Sequence, residues 1–158
     1  MDIWPNTVSF RLVNTIDVRA ETDIPTGYTG RVRVVAQGYV RSIGWLEQGS
    51  YHDPAASTPA YVRLRRDGRV KQARFYRRGK LHDPEPDTPA VRGFFANGAR
   101  RYAEHYRDGR RCDSQNGAPA ITTWRLDGSV RKEIRYTHLP RRAREWTLPE
   151  PELVAGPA

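Results

Sequence analysis

Apolar and polar residues alternate along this chain in short runs, glycine-containing breaks separate the runs, and the runs themselves recur. Residues 61–65 and 70–76 flank Asp67-Gly68, and residues 91–95 and 100–106 flank Asn97-Gly98. Each pair reads as two half-buried strands joined by a tight turn, because a period of two places alternate side chains on opposite faces of a sheet. Residues 7–13 (TVSFRLV) and 15–20 (TIDVRA) alternate in the same way before Pro25, Gly27 and Gly30 interrupt the pattern. No stretch of about ten residues carries the 3.6-residue period of an amphipathic helix, so the expectation is an all-β protein without helices.

The breaks fall at a constant spacing. Asp67-Gly68, Asn97-Gly98 and Asp127-Gly128 are each 30 residues apart, with Gln37-Gly38 in the same register. A second glycine follows at Gly49, Gly79 and Gly109, with Leu139 at that offset in the last copy. Each copy closes on a proline: Pro59, Pro89, Pro119 and Pro149. The sequence therefore divides into four units, 30–59, 60–89, 90–119 and 120–149. Residues 1–29 would form an N-terminal hairpin cap, since terminal units of repeat arrays are atypical, and residues 150–158 a disordered tail. The expected architecture is an array of β-hairpin repeats in a twisted, mostly antiparallel sheet.

Loop length sets the facing of the side chains. A two-residue turn at Asp67-Gly68 would pair Leu64 with Lys71, an apolar residue with a charged one, and would repeat that mismatch at Phe94 with Arg101 and Trp124 with Arg131. A three-residue loop with glycine in the left-handed region pairs Leu64 with Val70, Trp124 with Val130 and Val34 with Val40. In this register Val34, Leu64, Phe94 and Trp124 face inward, together with Leu46, Tyr76, Tyr106 and Tyr136. Outward lies a basic column, Arg41, Lys71, Arg101 and Arg131, accompanied by Trp45, Phe75, His105 and Arg135. Core packing is the simplest use of the recurring tyrosines. Trp45 and Phe75 sit outside by strict alternation, and a bulge that flips the strand's end would turn them inward.

Charge sharpens the picture. The net charge is +9, and arginine supplies 24 of the 27 basic residues. The N-terminal 29 residues carry −2 and the four units carry +1, +5, +3 and +4, so the repeats hold the positive charge. Such a surface suits acidic partners, and arginine in particular engages carboxylate and phosphate bidentately. Cys112 is the single cysteine, so no disulfide framework or paired-cysteine metal motif exists. The opening residues MDIWPNTVSF lack a basic stretch followed by an apolar run, and no stretch approaches the ~18 apolar residues of a membrane span. A cytoplasmic location is expected.

His52-Asp53-Pro54 and His82-Asp83-Pro84 recur, with Cys112-Asp113 in the same register. Equivalent positions two strands apart lie ~9–10 Å from each other, too far to share one ion whose ligands stand within ~2 Å. Backbone bonding in the return loops is the expected use of these residues, a small buried or half-buried thiol that of Cys112. No cofactor is implied, and no catalytic grouping of nucleophile, base and orienting acid is recognisable.

The stretch Gly79-Lys80-Leu81-His82-Asp83 with Thr88-Pro89-Ala90 resembles a known repeat. So does Gly109-Arg110-Arg111-Cys112-Asp113 with Asn116-Gly117-Ala118-Pro119-Ala120. They are similar to the G-x-x-H-R-x-D-G-P-A hairpin repeats of bacterial, phage and large-virus proteins, relatives of the MORN-like repeats of the YwqK family of antitoxins. The resemblance covers residues 30 to about 139 and implies a ribbon of antiparallel hairpins used for binding, in some relatives to neutralise a toxin. The expected function is non-catalytic: binding, and modulating or inhibiting, a partner protein with an acidic surface, as an antitoxin or an anti-defence inhibitor does. The alternative is a nucleic-acid binder. In either case Arg41, Trp45, Lys71, Phe75, Arg101, His105, Arg131 and Arg135 would form the contact surface.

Overall fold

A computed structural model describes residues 14–136. In chain order the strands are β1 (Thr15–Val18), β2 (Gly30–Ala36), β3 (Tyr39–Glu47), β4 (Ser50–Tyr51), β5 (Tyr61–Leu64), β6 (Val70–Arg74) and β7 (Tyr76–Arg77). They continue with β8 (Lys80–Leu81), β9 (Val91–Phe94), β10 (Arg100–Glu104), β11 (Tyr106–Arg107), β12 (Arg110–Arg111), β13 (Ile121–Trp124) and β14 (Val130–Ile134). The helical content of the described residues is a single 3-10 turn, Glu21–Asp23. One sheet runs β1-β2-β3-β5-β6-β9-β10-β13-β14, with β4 paired to β3, while β7–β8 and β11–β12 form small separate hairpins. Every pairing is antiparallel except that of β1 with β2.

The Asp/Asn-Gly signals make the expected three-residue loops. Arg65 N–H bonds Arg69 O at 2.8 Å and Gly68 N–H bonds Arg65 O at 3.0 Å, closing the loop with Gly68 at φ +81°. The Asp67 carboxylate accepts the Arg69 N–H, as Asn97 accepts that of Ala99 and Asp127 that of Ser129, which is why a short polar acceptor precedes each glycine. Leu64 pairs with Val70 and Trp124 with Val130, as the register requires.

The first hairpin departs from this scheme. Gln37 cannot make the short-side-chain bond, and the chain turns in two residues, Gln37 (φ +56°) and Gly38 (φ +79°), the doubly left-handed turn suited to a tight hairpin. Val40 consequently pairs with Val35, and Val34 with Ser42, in place of the expected Val34–Val40 pair. The expected N-terminal hairpin is described only in part. Its second arm is β1, which lies parallel to β2, while residues 7–13 fall outside the described residues, as do Leu139 and residues 150–158.

One interaction recurs at the 30-residue spacing and joins consecutive units. Asp53 Oδ1 accepts the N–H groups of Ala60 and Tyr76, both at 2.8 Å, while the Asp53 N–H bonds Tyr76 O at 2.9 Å. Asp83 treats Ala90 and Tyr106 identically, and Asp113 does the same with Ala120 and Tyr136. The alanines are fully buried, and their carbonyls accept the N–H of Trp45, Phe75 and His105. A larger side chain at these positions would displace the return loop. Gly49, Gly79 and Gly109 each complete a left-handed two-residue turn, and their N–H groups bond the preceding return segment at Tyr28, Tyr51 and Leu81. The core thus lies between one sheet face and the return loops, with Val62, Ala73, Phe75 and Thr58 at its centre.

If this carboxylate clamp holds the units together, Asp83→Ala leaves two buried N–H donors and the ring of His105 without their acceptor. The expected loss is about 3 kcal/mol or more, read as a shift in the urea unfolding curve. The exposed Asp67→Ala at a hairpin tip is expected to cost less than about 1 kcal/mol.

Candidate binding surface

Each main hairpin contains a bulge, and the extra residue is basic in every one. Pairing jumps from Val34–Ser42 to Val35–Val40, from Arg63–Gln72 to Leu64–Val70, from Gly93–Tyr102 to Phe94–Arg100, and from Thr123–Lys132 to Trp124–Val130. The residues passed over are Arg41, Lys71, Arg101 and Arg131. All four are exposed. A bulged residue has no cross-strand partner to cover it, and a long cation at that point keeps its charge in water.

The bulge also inverts the alternation beyond it. Val70 and Ala73 share a face where strict alternation would have put Val70 with Gln72. The expected outward placement of Trp45, Phe75 and His105 is therefore corrected: they are 7%, 0% and 5% exposed and line the core. Arg135 follows the same register but stays exposed, its guanidinium donating to Gly117 O at 2.8 Å. The inward set changes correspondingly. Leu46 is buried, Tyr76 and Tyr106 are half-buried, and Tyr136 is 43% exposed.

His105 is held by a carboxylate. Its Nδ1 lies 2.7 Å from Asp83 Oδ2, both side chains being largely buried, so a polar ring occupies a core site that Trp45 and Phe75 fill with apolar ones. The adjacent histidines bond the backbone: His52 Nδ1 accepts the Arg78 N–H at 3.2 Å, and His82 Nδ1 accepts the Asp108 N–H at 3.4 Å. Burial, aided by Arg77, pulls the His82 imidazole below its ordinary value. Cys112 is buried, and burial pushes its thiol up, away from the reactive thiolate. Among the described residues no group of three or more His, Cys, Asp or Glu side chains could hold a metal ion. No helix among them is long and apolar enough to cross a membrane.

Grooves open between neighbouring hairpins on the bulged side. Arg41, Arg63, Arg65, Arg66 and Lys71 surround one of about 320 Å³, together with Tyr39 and Leu64. Two units along, Arg101, Arg131 and Lys132 share a groove of about 570 Å³ with Phe95, Tyr102 and Trp124. The Arg101 guanidinium stands 5.8 Å from the centre of the Phe95 ring, within cation–π range. Trp124 also lines a third groove of about 570 Å³, whose apolar wall includes Phe94, Pro89 and Ala103 and whose charges are Arg92, Arg100 and Asp87. Phe94 and Trp124 are therefore half-buried groove walls. Sequence reasoning missed Arg63 and Arg66 as members of the surface. The signal was present in the bulge, which follows from a basic residue recurring one place after the residue that closes each loop, Val40, Val70, Arg100 and Val130.

No family model, curated protein or solved structure matches the chain.

Asp53 supplies a pH test of the clamp. Burial pushes its carboxyl up to about 7, against the opposing pull of the Tyr76 and Ala60 N–H groups and of Arg77. Between an ordinary aspartate value of roughly 4 and about 7, the folded protein holds a proton that the unfolded chain releases. Asp53 therefore makes the fold less stable as pH rises through that window. Asp53→Asn keeps an acceptor oxygen and removes the titration. Its melting temperature is expected to gain on that of the unsubstituted protein from pH 4 to pH 7.5, and a constant difference would show that the carboxyl titrates lower.

Proposed function

We propose that this protein is a non-catalytic repeat protein that binds a partner protein through its bulged side, engaging an acidic surface and modulating or inhibiting that partner, as an antitoxin or anti-defence inhibitor does. The observation that carries this reading is the position of Trp124, which walls both the basic groove beside Arg101 and Arg131 and the apolar groove containing Phe94 and Pro89. Protein interfaces draw most of their affinity from a few apolar or aromatic anchors seated in such clefts, with charges around them steering association. The bulge cations supply the charge. The side chains of Arg41, Lys71 and Arg131 make no hydrogen bond or ion pair among the described residues, which leaves their charge available to a partner.

Nucleic-acid binding is the second reading, favoured by the regular column of cations. Backbone phosphates neutralised by four such residues release counterions, giving a log K against log salt slope near −3 or steeper.

The two readings separate in one experiment. The partner, captured from the native host and purified, and labelled single- and double-stranded oligonucleotides are titrated across a salt series. The expected result is a protein complex that persists at physiological salt and weakens at least ~30-fold (~2 kcal/mol) in Trp124→Ala, with oligonucleotide binding vanishing there. Tight oligonucleotide binding at that salt, lost on charge reversal of Arg41, Lys71, Arg101 and Arg131, would establish the second reading in its place.

A further inference from the structure

The groove between the first two hairpins differs from the others in its charge. Its lining carries Arg41, Arg63, Arg65, Arg66 and Lys71 and no carboxylate. Arg65 is fixed by donating from Nη2 to Phe94 O at 2.8 Å, whereas the side chains of Arg41, Arg63, Arg66 and Lys71 make no hydrogen bond or ion pair with a described residue. The carboxylate at the hairpin tip, Asp67, accepts the Arg69 N–H and stands 3.8 Å from the Arg69 guanidinium. Glu21 lies in the neighbouring groove that Arg41 and Arg63 also border, where it accepts the Tyr61 hydroxyl. Five cations around about 320 Å³ repel one another, and the described residues supply little to offset them.

We infer that this groove is a binding site for a compact oligoanion bearing two or three phosphoryl groups, either a free oligophosphate or clustered phosphorylated side chains on a protein. The inference rests on the reading of the bulged side as the contact surface and names the ligand chemistry of one part of it. A phosphoryl group carries about −1.5 to −2 at pH 7, so three of them neutralise the five cations within one groove and two offset most of that charge. Carboxylates would need five residues to do the same. The forked guanidiniums of Arg41, Arg63 and Arg66 present paired donors to the oxygens, and Lys71 adds a point charge, the combination that recognises phosphorylated motifs.

Inorganic tripolyphosphate and a doubly phosphorylated peptide are titrated calorimetrically into the full chain, beside a single-stranded oligonucleotide of equal charge. The expected result is one equivalent of tripolyphosphate bound, weakened at least ~10-fold in Arg63→Gln/Lys71→Gln and less than twofold in Arg131→Gln, with unchanged urea midpoints for all. Peptide binding tighter than tripolyphosphate assigns the site to a protein-borne ligand, and the reverse to a free oligophosphate. Both support the inference. Absent binding, several equivalents bound, equal weakening by Arg131→Gln, or an oligonucleotide tighter than both probes overturns it. Loss of tripolyphosphate binding with a Trp124-dependent protein complex intact would remove this inference alone. Loss of that complex with the tripolyphosphate site intact would remove only the proposed function.

Discussion

The architecture depends on one carboxylate oxygen accepting two backbone N–H groups. Asp53, Asp83 and Asp113 each bind the alanine seven residues on and the tyrosine 23 residues on. A sheet with a thin core cannot hide many unpaired donors, since each would cost about 1–3 kcal/mol. The clamp resolves this where it is most acute, at the point where the return loop crosses back over the sheet. It also fixes the height of that loop, which sets the space available to Trp45, Phe75 and His105 and explains the fully buried alanines.

A second constraint follows from counting residues around each hairpin. The loop and the bulge together move the strand by one position, so residues beyond the bulge face the side opposite to the one simple alternation gives. That single displacement carries Phe75 into the core and holds Lys71 out of it. Stability and surface charge therefore share an origin: the irregularity that seats the aromatic ring is the one that exposes the cation.

The period, the turns and the all-β class are legible because they rest on local chemistry: Asp67, Asn97 and Asp127 bond the backbone two residues ahead, and the glycines adopt left-handed angles. The basic column is legible for the same reason, as a fixed offset from each turn. The facing of Trp45, Phe75 and His105 is not, because a bulge conserves the pattern of residue types while reversing the side they occupy. Nor is the Asp83–His105 contact, which spans 22 positions and depends on the return loop's path. The two-residue turn at Gln37-Gly38 and the parallel β1–β2 pair depart from the repeat at its N-terminal end, where neighbouring units no longer impose their register.

The clamp's reach has a consequence for how the chain can change in length. Its two spans, seven and 23 residues, add to one period. Excising residues 60–89 would bring Asp53 to the alanine and tyrosine that Asp83 now holds, with each backbone donor meeting an equivalent acceptor. The clamp spacing is thus compatible with gain or loss of one unit between Asp53 and Asp113, which would alter the sheet by two strands, about 10 Å. The sheet is graduated like a ruler, in divisions of one period.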